Sequence, residues 1–367
     1  MSGKQMTSIH DLDTPALLVD ADKLERNIQY AAEIARAGGK RFRPHTKTHK
    51  TAEIARMQLA AGATGLTVAK LGEAEVFADA GMDDFFIANE IVGRIKLERL
   101  AELAKRCQLR VGADSIDVVQ GYADVTRAAG IVLDVMIEVD TGLGRAGTRS
   151  IAETVDIARK IESEPSLRLR GIFTHEGHLY QVAAEERAAA VGKVIAILES
   201  HKQAVETAGI GVDVISVGST PGQELMGQQA LPTELRPGNS VFYDRMQVRN
   251  GRGLDDCALT VLATVVSVRN DGRVLIDAGT KTLAGDRLPD GSYGEIIGRS
   301  DLQFVGASEE HGHLQADGGN PGLRVGDKVQ VVPNHACTCV NLHETMQIVR
   351  GESVLEAWRI IGRGKIQ

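Results

Sequence analysis

What most constrains this chain is the alternation, through its first two thirds, of short apolar runs with longer stretches of helical spacing. The runs fall at 16–20, 41–47, 65–70, 84–90, 109–114, 133–140, 167–177 and 212–222, and each except the last is followed by a helical pattern. Leu24, Ile28 and Ala31 share one face of the first helix, and the Gly38-Gly39 pair stops it. A strand that reaches the next one through a helix pairs with it in parallel, and eight such units in roughly 230 residues predict a (β/α)8 barrel of the TIM type. Barrel chemistry gathers at the C-terminal strand ends. This chain places Lys47, Lys70, Asn89, Arg145, His175, His178, Tyr180, Ser219 and Thr220 there.

From about residue 246 the pattern changes to short alternating strands with Gly and Asp turns, and Asn270-Asp271-Gly272 has the composition of a hairpin turn. The fold class expected is therefore α/β, a barrel over 1–245 followed by a C-terminal all-β domain over 246–367. The first ~14 residues are candidates to pair with that second domain.

Composition excludes several classes. A net charge of −7 argues against a general nucleic-acid binder. No apolar run approaches the ~20 residues of a membrane helix, and the start of the chain lacks the apolar core of a signal peptide. Cys107, Cys257, Cys337 and Cys339 are too few and too scattered for a disulfide framework, so reduced thiols and a cytoplasmic setting are expected.

Within that frame four stretches carry chemistry. "RPHTKTHK" (43–50) sets Lys47 between His45 and His49, and a lysine beside other cations favours the neutral amine that reacts with carbonyls. A solvated basic patch is the competing reading. "SVGSTPG" (216–222) offers Gly218, Ser219 and Thr220, and "RPGNSVFYD" (236–244) offers Gly238, Asn239 and Tyr243; as two loops at neighbouring strand ends they match a barrel phosphate site, although either alone reads as a tight turn.

"VDTGLGRAG" (139–147) brings Arg145, and "THEGHLY" (174–180) brings His175, His178 and Tyr180, an arginine for an anionic oxygen and a ring able to stack. In "PNHACTCV" (333–340) His335 and Cys337 lie two apart, so on extended backbone they face one side and can bind one ion, with Cys339 in the same parity. A buried Cys and a hydrogen-bonded His would look the same. "SEEHGHL" (308–314) could join this group or form a surface loop.

A lysine at an early strand end, a phosphate cradle after the last strand and a trailing β-domain together resemble the fold-type III pyridoxal-phosphate enzymes, typified by alanine racemase. More closely, "RPHTKTHK", "GHLY", "SVGSTPG", "RPGNSVFYD", "SEEHG" and "PNHACTCVNL" resemble the D-threonine aldolase and D-serine dehydratase family over nearly the whole chain. That resemblance implies that Lys47 carries pyridoxal 5'-phosphate, with His45 beside it. It also implies that Gly218, Ser219, Thr220, Gly238 and Asn239 hold the phosphate with help from Tyr243, and that Arg145 and Tyr180 meet the ring or its phenolic oxygen. His335 and Cys337 would bind a divalent metal, zinc by the thiolate's preference or manganese by availability. Lys50 and His49 are expected at the start and on the solvent face of the following helix.

The reaction implied is that of a lyase on a small D-3-hydroxy amino acid. A His-x-Cys pair is similar to the dehydratase branch, which yields a 2-oxo acid and ammonia; retro-aldol cleavage to glycine and an aldehyde is the alternative. An amino-acid racemase would need a second base, and Tyr293 is the sole tyrosine after Tyr243. A non-catalytic cofactor carrier would lack the β-domain. The family also implies a homodimer, with no nucleic-acid or membrane partner.

Overall fold

The structure, a computed structural model, describes residues 7–317, 319 and 321–367. Strands β1 (Thr7–Ser8) and β2 (Ala16–Asp20) lead into helix α1 (Ala21–Ala37), whose buried face carries Leu24, Ile28 and Ala31. Eight parallel strands follow: β3 (Arg41–Phe42), β4 (Leu66–Val68), β5 (Asp84–Glu90), β6 (Gln108–Ala113), β7 (Leu133–Glu138), β8 (Leu167–Phe173), β9 (Val214–Val217) and β10 (Glu234–Leu235). Between them run α2 (Ala52–Ala60), α3 (Leu71–Asp79), α4 (Arg94–Ala104), α5 (Ile116–Ala129), α6 (Ile151–Glu162), α7 (Arg187–Thr207) and α8 (Gln223–Gln228). Their order is β3-β10-β9-β8-β7-β6-β5-β4, and bridges Phe42–Ala63 and His45–Thr67 link the last strand back to the first.

The expected barrel of eight strands is present, but one member differs. The run at 16–20 pairs with strands of the other sheet, and Glu234–Leu235 takes the eighth place. Leu17, Leu18 and Val19 are all at most 1% exposed, so that run reads as a strand buried on both faces whichever sheet it joins. Glu234–Leu235 is a two-residue strand inside "PTELRP", where prolines and a charge conceal it from periodicity.

Glu234 explains how a charge fits there. It is fully buried and accepts from Arg43 Nε (3.0 Å), Arg110 Nη1 (3.2 Å) and Ser216 Oγ (2.8 Å). Burial raises its carboxyl, but Arg43 and Arg110 outweigh burial and hold it below the usual carboxylate range. Removing one partner of such a pair costs about 3–5 kcal/mol.

The remaining strands are β11 (Leu259–Val268), β12 (Arg273–Ile276), β13 (Gly294–Ile296), β14 (Leu302–Ala307), β15 (Gly312–Ala316), β16 (Lys328–Pro333), β17 (Thr345–Arg350) and β18 (Ser353–Arg359). They run in the order β1-β18-β17-β2-β11-β12-β15-β14, with β16 pairing β11 and β13. All these pairings are antiparallel except β17 with β2. The expected turn at Asn270-Asp271-Gly272 joins β11 to β12, with Gly272 at φ 87°. By contact the chain divides into two compact units. One comprises Gln29–Lys47, Ile54–Gly238 and Gly364–Gln367; the other comprises Met1–Ile28, Thr48–Glu53 and Asn239–Arg363.

Candidate active site

Parallel strands in a barrel end at one rim, and the loops after them converge. Here they enclose a cavity of about 270 Å³. His45 and Lys47 follow β3, Lys70 follows β4, Asn89 and Glu90 end β5, and Glu138 ends β7; Arg145, His175 and Arg236 come from loops further on. Beneath the polar groups Phe86 and Phe173 meet edge to face at 5.0 Å, with the Arg236 guanidinium 5.4 Å from each ring.

Of the basic cluster, His45 and Lys47 reach this cavity. Arg43 does not, because it is spent on Glu234 and on Asp84, whose Oδ1 lies 2.7 Å from its Nη1. The expectation for His49 and Lys50 is corrected. Neither faces solvent: His49 is 0% and Lys50 7% exposed, and α2 starts two residues later. His49 Nδ1 accepts from Thr51 N at 3.1 Å. Lys50 sits at φ 52° and its ammonium donates to Asn341 Oδ1 (2.9 Å) and Gly362 O (3.3 Å), so two oxygens replace the water it was expected to meet.

The turn after β9 has the form of an anion cradle. A Cβ on Gly218 would come within 2.7 Å of Arg236 O, so a side chain there has no room. Ser219 and Thr220 are each 4% exposed, yet Ser219 Oγ and Thr220 Oγ1 have no hydrogen-bond partner. Leaving a buried hydroxyl unpaired costs about 1–3 kcal/mol, and a ligand oxygen would recover it.

Behind the turn Gly218 N donates to Glu176 Oε2 (3.1 Å), and His175 Nδ1 lies 2.6 Å from Gly218 O. A carbonyl only accepts, so His175 carries its hydrogen on Nδ1. Burial, then the charge of Lys47, pushes His175 down to about 3; the ring is neutral and Nε2 is an acceptor.

Arg145 is half-exposed, with Nη2 3.4 Å from Glu138 Oε1. Tyr180 sits on the turn Gly177–Gln181 and is not among the residues lining the cavity. Gly238 follows β10 and Asn239 comes next in the chain. Asn239 Nδ2 donates to Asp244 Oδ2 (2.5 Å), while its buried Oδ1 has no partner. Tyr243 is 1% exposed at φ 50°, a conformation rare outside glycine, and the Arg252 guanidinium covers its ring at 4.9 Å.

At His335 the backbone turns into a short helix, Ala336–Val340, where extended chain was expected. The parity argument for Cys339 therefore fails. Its thiol is buried, 3.3 Å from Thr282 O and 4.0 Å from His343 Nε2. His335 and Cys337 still meet. Burial works against charge on His335, but Cys337 and then Asp286 outweigh it and push the ring up to about 11. Asp286 Oδ1 lies 3.4 Å from His335 Nδ1, Thr338 Oγ1 donates to Asp286 Oδ2 (2.5 Å), and Thr48 Oγ1 is 3.1 Å from Cys337 Sγ. An imidazole with an adjacent thiol backed by a carboxylate is a donor set that fits a divalent ion with water completing it. No group of three or more ligating side chains exists among the described residues, and His313 of the 308–314 stretch bonds Ser308 Oγ at 2.9 Å.

Sequence reasoning passed over Glu90, Glu138, Glu176, Arg236, Asp286 and Thr48. Arg236, Thr48 and Glu176 lie inside the motifs, but in a single sequence nothing separates a buried acid from one in solvent.

Residues 19–246 match the family described as alanine racemase, N-terminal domain, and residues 258–349 match the putative serine dehydratase domain. The chain is 32% identical over 372 residues to 3-hydroxy-D-aspartate aldolase of Paracoccus denitrificans (strain Pd 1222), covering 97% of this chain and 93% of that protein. It superposes on the crystal structure of D-threonine aldolase from Filomicrobium marinum with a TM-score of 0.92, at 32% identity and 99% coverage of both chains. It also superposes on a cysteine-to-alanine mutant of D-threo-3-hydroxyaspartate dehydratase in the metal-free form, with a TM-score of 0.88, 31% identity and coverage of 96% of this chain and 98% of that one.

Proposed function

Since the chain belongs to the family that joins an alanine racemase N-terminal domain to a serine dehydratase domain, we propose that it is a pyridoxal 5'-phosphate- and divalent-metal-dependent lyase that dehydrates a D-3-hydroxy amino acid to a 2-oxo acid and ammonia. The observation that carries this reading is the pairing of Lys47, in a cavity rich in cations, with a cradle of unpartnered hydroxyls at Ser219 and Thr220.

The residues fit the cofactor. The Lys47 amine would hold its aldehyde carbon. Gly218, Ser219 and Thr220, with Gly238 and Asn239, would receive its phosphate, and Tyr243 would assist. Arg145 would face its phenolic oxygen, with His45 as a further ring contact. When bound, the cofactor supplies an electron sink for charge developing at the substrate's Cα.

Lys47 Nζ would be the amine that takes the Cα proton. His175 stays neutral, and its Nε2 offers the cavity an acceptor without adding a charge. Lys70 and Arg145 supply positive charge for a substrate carboxylate. His335 and Cys337 would hold the divalent ion, which supplies a Lewis acid for the 3-hydroxyl. The Cys337 thiolate favours zinc over manganese.

Aldol cleavage is the second reading, because the relatives named above include two aldolases. A product assay on D-serine, D-threonine and D-3-hydroxyaspartate, with and without chelator, separates them. Ammonia with a 2-oxo acid is expected. Glycine with an aldehyde, and no ammonia, would establish the aldolase instead.

Two further expectations belong to this reading. Val92, Ile95, Ile116 and Ile151 are 44–67% exposed and stand where β5, β6 and β7 give way to their helices, an apolar rim that suits a second copy of the chain. The four free thiols suit a reducing, cytoplasmic compartment.

A further inference from the structure

Glu176 has no part in the chemistry above. It follows His175 in the loop after β8, is 0% exposed, and belongs to the same compact unit as the turn after β9. Its Oε2 accepts from Gly218 N at 3.1 Å, while His175 Nδ1 donates to Gly218 O at 2.6 Å. Two consecutive residues of one loop thus hold both backbone groups of a single glycine in another. That glycine has no room to be anything else, because a Cβ there would meet Arg236 O at 2.7 Å.

The far end of the turn is closed in the same way. A Cβ on Gly222 would come within 2.8 Å of Leu179 Cδ1 and 3.0 Å of Ser219 Oγ, with Glu176 Oε1 3.6 Å away. Glu176 Oε1 and Ser219 Oγ, both buried and without a hydrogen-bond partner, therefore lie beside the same glycine. Burying a carboxyl costs stability, the more so with one oxygen unpartnered, and a chain needs no carboxyl to make a tight turn. Burial raises this carboxyl above its usual range, but Oε2 accepts from Gly218 N whether or not the group is ionised.

We propose that Glu176 is a positioning residue of the anion cradle: by holding the Gly218 amide, with His175 on the carbonyl, it fixes the turn so that Ser219 Oγ and Thr220 Oγ1 are offered together to a phosphate ester. The Gly218 amide is then spent within the protein, so that Gly218 contributes shape and the two hydroxyls contribute hydrogen bonds. This rests on the reading of the cradle as the site of the cofactor's phosphate.

The test measures how tightly the full-length protein binds pyridoxal 5'-phosphate and pyridoxal, which lacks the phosphate, each followed by the absorbance of its lysine-linked form. E176Q keeps an oxygen for the Gly218 amide, whereas E176A removes it. E176A should bind pyridoxal 5'-phosphate about 10- to 100-fold more weakly and pyridoxal as wild type does, and E176Q should stay within about threefold of wild type for both. An equal loss for the two ligands in E176A, no loss for either, or an E176Q as weak as E176A would overturn the positioning role. Should E176A not fold, hydrogen exchange of the wild-type Gly218 amide decides: slow exchange with and without inorganic phosphate is expected, and fast exchange that slows only when phosphate is added overturns the proposal. A wild type that binds both ligands alike would overturn the cradle reading and this proposal with it, whereas a failure confined to the variants overturns the proposal alone.

Discussion

The Gly218–Thr220 turn and the turn that starts at His335 treat their polar groups in opposite ways. The first leaves Ser219 Oγ and Thr220 Oγ1 buried and unpartnered. The second satisfies its own: His335 with Cys337 and Asp286, Asp286 with Thr338, and Cys337 with Thr48. A ligand's oxygens would supply the partners that the first turn lacks. At the second, an ion would have to displace hydrogen bonds that already exist.

That contrast can be broken, starting with the largest effect. K47A should lower product formation by about 10⁴-fold or more and abolish the cofactor's lysine-linked absorbance, measured on the purified protein. It should leave zinc binding at His335 intact, since Lys47 serves only the first site. T220V should weaken pyridoxal phosphate by about 10- to 100-fold, the value of one hydrogen bond to a charged oxygen. The same variant should melt no lower than wild type when empty, because it removes an unsatisfied hydroxyl; a clear loss of apo stability would mean that Thr220 is already partnered.

D286N tests the other turn. Removing the carboxylate behind His335 should lower zinc affinity by about 10- to 100-fold in chelator competition and leave cofactor affinity alone. The smallest effect concerns His175. Its folded value lies below the usual 6.5, so it contributes stability that is present above about 6.5 and lost as pH falls below that. Between pH 7.5 and 5.5 the loss should reach about 1 kcal/mol, or about 2 °C in melting temperature, and H175Q should remove it.

Much of this was legible because the signals were local. A lysine at a strand end and glycine with hydroxyls at another are set by backbone geometry, and the sequence carries both. Sheet membership was not, since Ala16–Asp20 is apolar on both faces and would suit either sheet. Lys50 misled for a related reason: a buried lysine and a solvated one are written identically, and the difference lies in Asn341 and Gly362, nearly three hundred residues away or more. The His335 turn was read wrongly in its backbone, because a spacing of two has one meaning in extended chain and another in a helix.

Asp244 has a consequence for anyone who would redesign this enzyme. Its buried carboxylate receives Asn239 Nδ2 (2.5 Å), Gln247 N (3.1 Å) and Ala336 N (2.8 Å). Three stretches of chain, the loop after Gly238, the helix at 245–249 and the start of the His335 turn, are thus knotted at one residue. A library that varies 239–247 and another that varies 334–340 sample one connected object, and combining their winners will not be additive. Directed evolution of the 239–247 stretch is, through Asp244, also evolution of the His335 turn.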